Sequence, residues 1–239
     1  MKALQKHLQT LGLPALSPAG EEKLAFYAAR LAEENEKYNL TAITDPAEVE
    51  VRHFADSLTP AAYLSASALR FADVGCGAGF PGLPLKIYLD DISRPCELTL
   101  MDATGKKVEF LHGLAADLSL TDVHCVQGRA EELGRDPAFR ERFDVVLSRA
   151  VAAMDKLDEL CLPFVSKNGV FIALKSSAGR EECAAAAGGI AKLGGGTPEF
   201  YPYSLPGDQP ESLLVRIPKV QSTPDAYPRA FGAIKKRPL

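Results

Sequence analysis

The sequence predicts an α/β fold with a mostly parallel, doubly wound sheet of seven strands and an N-terminal helical extension. Short apolar segments alternate with helical ones over residues 69–193, which is typical of a parallel sheet with helices on both faces. The last two predicted strands, near 197–203 and 211–217, have no helix between them and form a hairpin. Residues 1–66 show only helical patterns, so we expect an extension packed on a core domain of residues 67–239.

The helices of the extension are marked at their starts. Ser17 precedes Pro18 and Asp45 precedes Pro46, and each pair combines an N-cap residue with a proline suited to the first helical turn. The strands and helices of the core domain follow from apolar runs and from their spacing. Strands are predicted at 69–74, 97–102, 123–127, 143–147 and 170–174, and helices at about 80–90, 106–118, 154–165 and 179–193.

The five cysteines are odd in number and scattered, with no C-x-x-C pair. This usage predicts reduced thiols and neither disulfides nor a metal site. The first residues lack a signal-peptide apolar run, and no stretch approaches the roughly 18 apolar residues of a membrane span. We therefore expect a cytoplasmic protein with no membrane partner.

Charge is distributed unevenly along the chain. The net charge of −4 speaks against nucleic-acid binding by the protein as a whole. From residue 216 onward, however, six basic residues accompany a single acid, Asp225. This basic end fits local contact with a polyanion, for which Arg229, Lys235, Lys236 and Arg237 are the candidates, although such tails are also often merely solvated.

A glycine-rich turn follows the first strand and organises the rest of the domain. Gly75, Gly77 and Gly79 let the backbone turn tightly and approach a ligand. With Asp73 they form D-x-G-x-G-x-G, the pattern of S-adenosylmethionine (SAM) methyltransferases. Residues 77–82 also satisfy the dinucleotide pattern G-x-G-x-x-G. That match places a proline where pyrophosphate needs backbone N–H groups, so methyl transfer is favoured, while dinucleotide binding and a turn without ligand stay open.

Two further strand ends carry candidate nucleoside-binding residues. Asp102 ends the second strand, where a carboxylate can bind ribose hydroxyls of SAM or NAD alike. Its alternative role is to cap the next helix. Ala130 and Glu131 follow the third strand, where an adenine would lie; the alternative is a solvated helix start.

Arg149 is the most informative charge because it ends the fourth strand and points into the predicted cleft. An unpaired cation there would be costly. Its partner should be the methionine carboxylate of SAM, a substrate phosphate, or a protein acid such as Asp73. His53 and Asp56 share one helix face, which indicates either the edge of a substrate site or a satisfied structural pair.

The residues around the fourth strand also limit the methyl acceptor. Methylases of exocyclic base amines carry an Asn/Asp-Pro-Pro-aromatic loop where this chain has Ser148-Arg149-Ala150-Val151. Base-carbon methylases need a cysteine nucleophile in the cleft, and Cys161 lies within a predicted helix. A ring nitrogen with its own lone pair needs neither device. We therefore expect no general base and assign no catalytic residue.

Seven segments of the chain together resemble one known family, the bacterial small-subunit ribosomal RNA guanine-N7 methyltransferases, also called the glucose-inhibited division protein B family. The resemblance covers nearly the whole chain. Its segments are Tyr38-Asn39-Leu40-Thr41, Arg52-His53-Phe54-Ala55-Asp56-Ser57, residues 73–82, Lys106-Lys107-Val108-Glu109-Phe110-Leu111, Arg129-Ala130-Glu131, Ser148-Arg149-Ala150-Val151 and the closing residues 228–239.

The resemblance implies a Rossmann-like class I SAM-dependent methyltransferase that methylates N7 of one guanine in small-subunit rRNA, near the decoding site. By position, it implies SAM contacts at Gly75, Phe80, Ala130, Glu131 and Arg149. The chain departs from the family at Ala103, where a serine usually follows the acid. That departure weakens the cap of the next helix but leaves the role of the acid intact.

Several functions remain as alternatives on the sequence alone: an NAD-dependent dehydrogenase, a SAM-dependent methyltransferase of small molecules and a non-enzymatic RNA-binding module. The expected enzyme is a monomer whose partner is small-subunit rRNA or the small ribosomal subunit. Whether it acts on free rRNA or on an assembled particle is left open.

Overall fold

The computed structural model describes residues 1–239 and contains one seven-stranded sheet. The strand order is β3-β2-β1-β4-β5-β7-β6; the first five strands are parallel, and β7 pairs antiparallel with both β5 and β6. This confirms the predicted fold class. The strands are β1 (Arg70–Val74), β2 (Glu97–Asp102), β3 (Val123–Gln127), β4 (Phe143–Arg149), β5 (Val165–Ser176), β6 (Glu199–Tyr203) and β7 (Ser212–Pro218).

The central strands are apolar along their length because helices cover both faces of the sheet. In β4, Val145, Val146 and Leu147 are all buried. Strand order reverses between β1 and β4, since β2 and β3 lie on one side of β1 and β5 lies beyond β4. In such sheets the crevice at the carboxyl ends of the strands flanking the reversal binds ligands.

Helices occupy the predicted places in the chain. Ser17 caps α2 by accepting a hydrogen bond from the Gly20 N–H, with Pro18 in the first turn, as the sequence predicts. The α-helices are α1 (Lys2–Thr10), α2 (Pro18–Tyr38), α3 (Pro46–Glu48), α4 (Asp56–Leu58), α5 (Gly82–Asp91), α6 (Gly105–Asp117), α7 (Ala130–Leu133), α8 (Met154–Cys161), α9 (Gly179–Ala185), α10 (Ala187–Lys192) and α11 (Phe231–Lys236). A π-helix, Val49–Ala55, joins α3 to α4, and short 3-10 helices span Thr59–Tyr63 and Leu162–Phe164.

Two hydrophobic clusters lie on the two faces of the sheet. The larger joins residues of the N-terminal helices, among them Leu24 and Phe54, to sheet residues such as Phe71. The smaller packs α8 to α11 on the other face. The N-terminal helices therefore share the core of the sheet domain, and the division at residues 66/67 stays a prediction.

Four elements differ from the sequence prediction. The helix expected over about 154–165 ends at Cys161, and Val165 already belongs to β5. The single helix expected over 179–193 is two helices, α9 and α10, because the backbone leaves helical geometry at Ala186 (φ −90°, ψ 3°), just before Gly188 and Gly189. Strand β5 begins at Val165, well before residue 170. The basic end carries a short helix, α11, that its composition did not indicate.

All five cysteines are free thiols. None of the helices combines the length and apolar character that crossing a membrane would require.

Candidate cofactor and substrate site

The glycine turn between β1 and α5 adopts backbone angles that favour glycine: φ is +71° at Gly75, +59° at Gly77 and +105° at Gly79. The backbone N–H groups of Gly75 and Cys76 donate to the Met101 carbonyl and so tie the turn to β2. A side chain at Gly79 would collide with Tyr27 and Leu111. Gly79 thus makes room for packing, whereas the space beside Gly77 is open.

Asp102 connects the turn to the end of β2. Its Oδ2 accepts a hydrogen bond from the Gly77 N–H at 3.0 Å, and its Oδ1 accepts one from the Thr104 N–H at 2.8 Å. The residue is 9% exposed. Each carboxylate oxygen has a second lone pair, so Asp102 can hold the turn and still accept hydrogen bonds from a ribose.

A cavity of about 180 Å³ lies at the carboxyl ends of β1, β2 and β3. We call it the cofactor cavity. It brings together four of the eight predicted cofactor residues, Gly75, Asp102, Ala130 and Glu131. Its other lining residues are Val74, Met101, Ala103, Gly128, Arg129, Val151, Leu160 and Phe231. Glu131 is buried and forms an ion pair with Arg129 Nε. An apolar wall with a few placed acceptors suits an adenine nucleoside.

The side chain of Phe80 lies outside the cofactor cavity. It is 6% exposed and stacks between Tyr27, at a ring-centroid distance of 5.3 Å, and His53, at 4.3 Å. The Tyr27 hydroxyl donates to the Ala78 carbonyl. Phe80 therefore joins the turn to the N-terminal helices, and only its backbone is left for the cofactor contact that the resemblance implies.

Arg149 also reaches the N-terminal helices. Its Nη1 donates to Asp56 Oδ2 at 2.8 Å and to the Arg52 carbonyl at 3.0 Å, and its guanidinium lies 5.0 Å from the centroid of the Phe80 ring. Of the predicted partners, the structure shows a protein acid, but the suggestion of Asp73 is wrong. The Asp73 carboxylate instead accepts the Gly82 N–H at 2.7 Å, beneath the start of α5.

The partners of Arg149 are themselves held by hydrogen bonds. Asp56 Oδ1 accepts from the Tyr203 hydroxyl, so both carboxylate oxygens are engaged. His53 Nε2 lies 2.8 Å from Thr41 Oγ1, and its Nδ1 lies 3.2 Å from Arg149 Nη2. Burial, and then the Arg149 charge, lower the pKa of His53 to about 4. We refer to Arg149, Asp56, His53 and Tyr203 as the Arg149 cluster.

Asp73 differs from these satisfied groups. It is fully buried, and its Oδ1 has no hydrogen-bond partner. Burial raises its pKa to about 7, although the Gly82 N–H opposes that shift. This oxygen lies beneath the glycine turn at the end of β1, and Asp73 is absent from the wall of the cofactor cavity. Of Asp73 and Asp102, only Asp102 is therefore presented to a ligand bound in that cavity.

A second cavity, of about 550 Å³, lies on the other side of the segment 149–151. Its walls include the Arg149 cluster, Ala150 and Lys175, together with residues 209–212 of the β6–β7 hairpin. We call it the junction cavity because the N-terminal helices and the sheet meet there. Val151 lines the cofactor cavity, while Arg149 and Ala150 line the junction cavity. The short segment 149–151 therefore separates the two cavities.

The candidate RNA-binding residues fall into two groups. Lys235, Lys236 and Arg237 are exposed at the end of α11. Arg229 instead forms a two-pronged ion pair with the fully buried Glu159, with Nη2–Oε2 at 2.6 Å and Nε–Oε1 at 2.9 Å. We therefore correct its assignment: the guanidinium of Arg229 anchors the C-terminal segment, because Glu159 would otherwise be a buried unpaired charge.

Two lining residues far from the predicted strand ends were missed by sequence reasoning: Leu160 on α8 and Phe231 at the start of α11. Phe231 is the less expected of the two. Its position within a basic terminal segment gave no signal of contact with a distant cavity.

Comparison with known proteins places the chain in a family. Residues 20–202 match the family described as "GidB: rRNA small subunit methyltransferase G". The chain is 43% identical over 240 residues to "Ribosomal RNA small subunit methyltransferase G" of Macrococcus caseolyticus, covering all of this chain and 98% of the relative. It is 45% identical over 237 residues to the protein of the same name in Staphylococcus haemolyticus, covering 99% and 96% of the two chains.

Solved structures agree on the fold. A putative O-methyltransferase from Klebsiella pneumoniae superposes with a TM-score of 0.57 at 12% identity, over 92% of this chain and 97% of that one. A predicted O-methyltransferase from Agrobacterium tumefaciens gives 0.51 at 20% identity, over 70% and 79% of the chains. The predicted Rossmann-like class I methyltransferase fold and the SAM dependence of the family are confirmed. The chain belongs to the family of small-subunit rRNA methyltransferase G.

Proposed function

We propose that this chain transfers the methyl group of SAM to N7 of one guanine in small-subunit rRNA. Within the family, the observation that supports this chemistry is the pair of cavities separated only by residues 149–151. A cofactor held against Asp102, Ala130 and Glu131 lies on one side of that segment. The junction cavity on the other side offers space for a base that has been turned out of an RNA loop.

The cofactor supplies an activated methyl group on a sulfonium, and the protein supplies alignment. Asp102 would hold the ribose, and the wall around Ala130 and Glu131 would receive the adenine. The Arg149 cluster fixes the neighbouring segment and thereby sets the angle at which a base can approach. Holding the reacting atoms in line and excluding water provides the rate enhancement.

Guanine N7 carries a free lone pair and has no proton to lose. No general base is therefore required, and the low pKa of His53 agrees with a neutral side chain that supports the Phe80 stack. In this proposal Arg149 and Phe80 contribute to SAM binding by positioning the turn and the segment 149–151, beyond any direct contact that they make.

Lys235, Lys236 and Arg237 supply positive charge for the rRNA backbone. We further propose that the enzyme acts as a cytoplasmic monomer with no membrane partner, and that residues 1–66 form an extension that completes the junction cavity. Its substrate is either free rRNA or the assembled small subunit.

The test is methyl transfer from labelled SAM to isolated small subunits, to naked rRNA and to a metabolite mixture. Chemical cleavage specific for N7-methylguanine then locates the product. Label at N7 of a single guanine supports the proposal. Label on a metabolite, on an exocyclic amine or on no RNA would contradict it. Binding of NAD in place of SAM, measured by calorimetry, would favour the dehydrogenase alternative.

A further inference from the structure

Phe231 is a large apolar side chain that remains 38% exposed while lining the cofactor cavity. It comes from the far C-terminal end of the chain, whereas Asp102 ends β2, and Ala130 and Glu131 begin α7, the short helix after β3. The cavity is therefore completed by a segment outside the strand–turn–helix motifs that form the rest of its wall.

The ring of Phe231 is held against that wall by Arg129. The Arg129 guanidinium lies 4.8 Å from the ring centroid, and its Nε forms an ion pair with the buried Glu131. Glu131, Arg129 and Phe231 thus form a continuous series of contacts from the floor of the cavity to its rim. Stacking of a guanidinium on an aromatic ring is attractive and orients the ring.

Anchors on both sides fix the position of Phe231. Two residues earlier, Arg229 is bound by the buried carboxylate of Glu159. Three residues later, Ile234 is fully buried in the smaller hydrophobic cluster. Arg135 also donates to the carbonyl oxygens of Pro228 and Ala226. A segment tied down this closely presents its exposed aromatic ring in one place, which a freely solvated tail would not do.

We propose that α11 is part of the cofactor site and that Phe231 contacts the adenine nucleoside moiety of SAM. This inference rests on the proposed location of the cofactor between Asp102 and Glu131. The physical reason is that an aromatic ring at the rim of an apolar cavity offers a face to a purine base and loses its exposed area when the base binds. The C-terminal segment then serves the cofactor through Phe231 and the RNA through its cations.

The experiment is calorimetric titration of the full chain with S-adenosylhomocysteine and, separately, with adenosine. Phe231→Ala should weaken both ligands about tenfold, within the range found when an aromatic partner of a base is removed. Phe231→Tyr should stay within about threefold of the wild type because it keeps the ring. An equal loss for adenosine assigns the contact to the nucleoside and not to the amino-acid part.

The matched control is Phe26→Ala, because Phe26 is a phenylalanine of similar exposure, 42%, that lies on α2 away from the cavity. It should leave both affinities unchanged. Thermal unfolding without ligand shows whether each variant is folded. If Phe231→Ala binds as tightly as the wild type while Asp102→Ala binds weakly, the inference is wrong and the cofactor location stands. If neither variant loses affinity, the proposed location fails and the inference fails with it.

Discussion

The two sides of the segment 149–151 are built in opposite ways. At the cofactor cavity, carboxylates are held by backbone hydrogen bonds and can still accept further ones. Asp102 has free lone pairs, and nearby Asp73 has an unpartnered oxygen. In the Arg149 cluster, both oxygens of Asp56 are engaged, and Arg149 contacts Asp56 and the backbone of Arg52. The first side has the features of a ligand site, and the second those of a structural joint.

This difference follows from the cost of burying charge. A carboxylate can remain partly unpartnered where a ligand will complete it, whereas a buried arginine without an acid would destabilise the fold. The joint therefore holds the N-terminal helices on the sheet and sets the shape of the junction cavity.

Breaking the joint should have the largest effect. Arg149 and Asp56 have side-chain exposures of 13% and 11% and lie 2.8 Å apart. Arg149→Ala should lower the free energy of unfolding by about 3 kcal/mol, because it leaves a buried carboxylate unpaired. Chemical denaturation measures this. The double variant with Asp56→Ala should lose less than the sum of the single losses.

The matched control is Arg216→Ala. Arg216 and Glu199 form a more exposed ion pair, with exposures of 29% and 41%, so its loss should cost less than about 1 kcal/mol. Strictly additive losses of unfolding free energy for the Arg149 and Asp56 variants would show that the two residues act independently. The pair would then not be a structural joint.

On the cofactor side, Asp102→Ala should weaken SAM binding by about 1.5–3 kcal/mol, the usual cost of losing hydrogen bonds to a charged group. The variant also loses the bond that holds the Gly77 N–H. Calorimetry measures the affinity. Asp117→Ala is the control because Asp117 is an exposed acid on α6. An unchanged affinity in a folded Asp102 variant would end the ribose assignment.

Asp73 gives the cofactor side a pH-dependent stability, because burial raises the pKa of its carboxyl to about 7. The folded protein keeps a proton on Asp73 between about pH 4 and 7 that the unfolded chain has already released. The contribution of Asp73 to stability therefore falls as pH rises through that window. Denaturation at pH 5 and pH 8 should show a difference that Asp73→Asn reduces.

The sequence predicted the cofactor side better than the joint, for a physical reason. Asp102 and Gly77 belong to neighbouring strand–turn units, so the parallel sheet alone brings them together. Arg149 meets Asp56 across 93 residues of chain. That pairing depends on how α2 and the π-helix pack on the sheet, which local patterns do not specify. The sequence could show that Arg149 needs an acid but not which acid.

The C-terminal segment illustrates the same limit. Its charges were visible in the sequence, but Arg229 and Lys235 look equivalent there. The structure separates them because Glu159, a buried acid on α8, lies within reach of Arg229 alone. The contact of Phe231 with the cofactor cavity likewise requires the tail to fold back against α8, and nothing in its composition indicates that path.

Neutralising the three exposed cations of the tail should have a smaller effect, confined to RNA. Replacing Lys235, Lys236 and Arg237 with glutamine should reduce the salt dependence of log K by about 0.7 for each lost single-strand phosphate contact. Filter binding at several salt concentrations measures the slope. The matched variant is Lys2→Gln with Lys6→Gln, two exposed lysines on α1. If the tail variant keeps the wild-type slope, the RNA-binding face lies elsewhere.

The smallest expected effect is the response of the chemical step to pH. Guanine N7 attacks through an unprotonated lone pair, so a general base, typically worth about 10²–10⁴ in rate, would have no proton to remove. His53 is the nearest candidate for a general base, but with a pKa of about 4 it is already neutral throughout the working range. Single-turnover transfer at saturating SAM and RNA should be nearly flat from about pH 6.5 to 8.5, below the pKa of guanine N1–H. His53→Ala should slow the step, through loss of the Phe80 stack, without changing that shape. The contrary result is a wild-type rate that climbs tenfold per pH unit near 7 and a flat profile for His53→Ala, which would mean that a general base takes part. The acceptor would then be an amine or a hydroxyl. The Arg149 cluster would in that case be catalytic machinery instead of a joint.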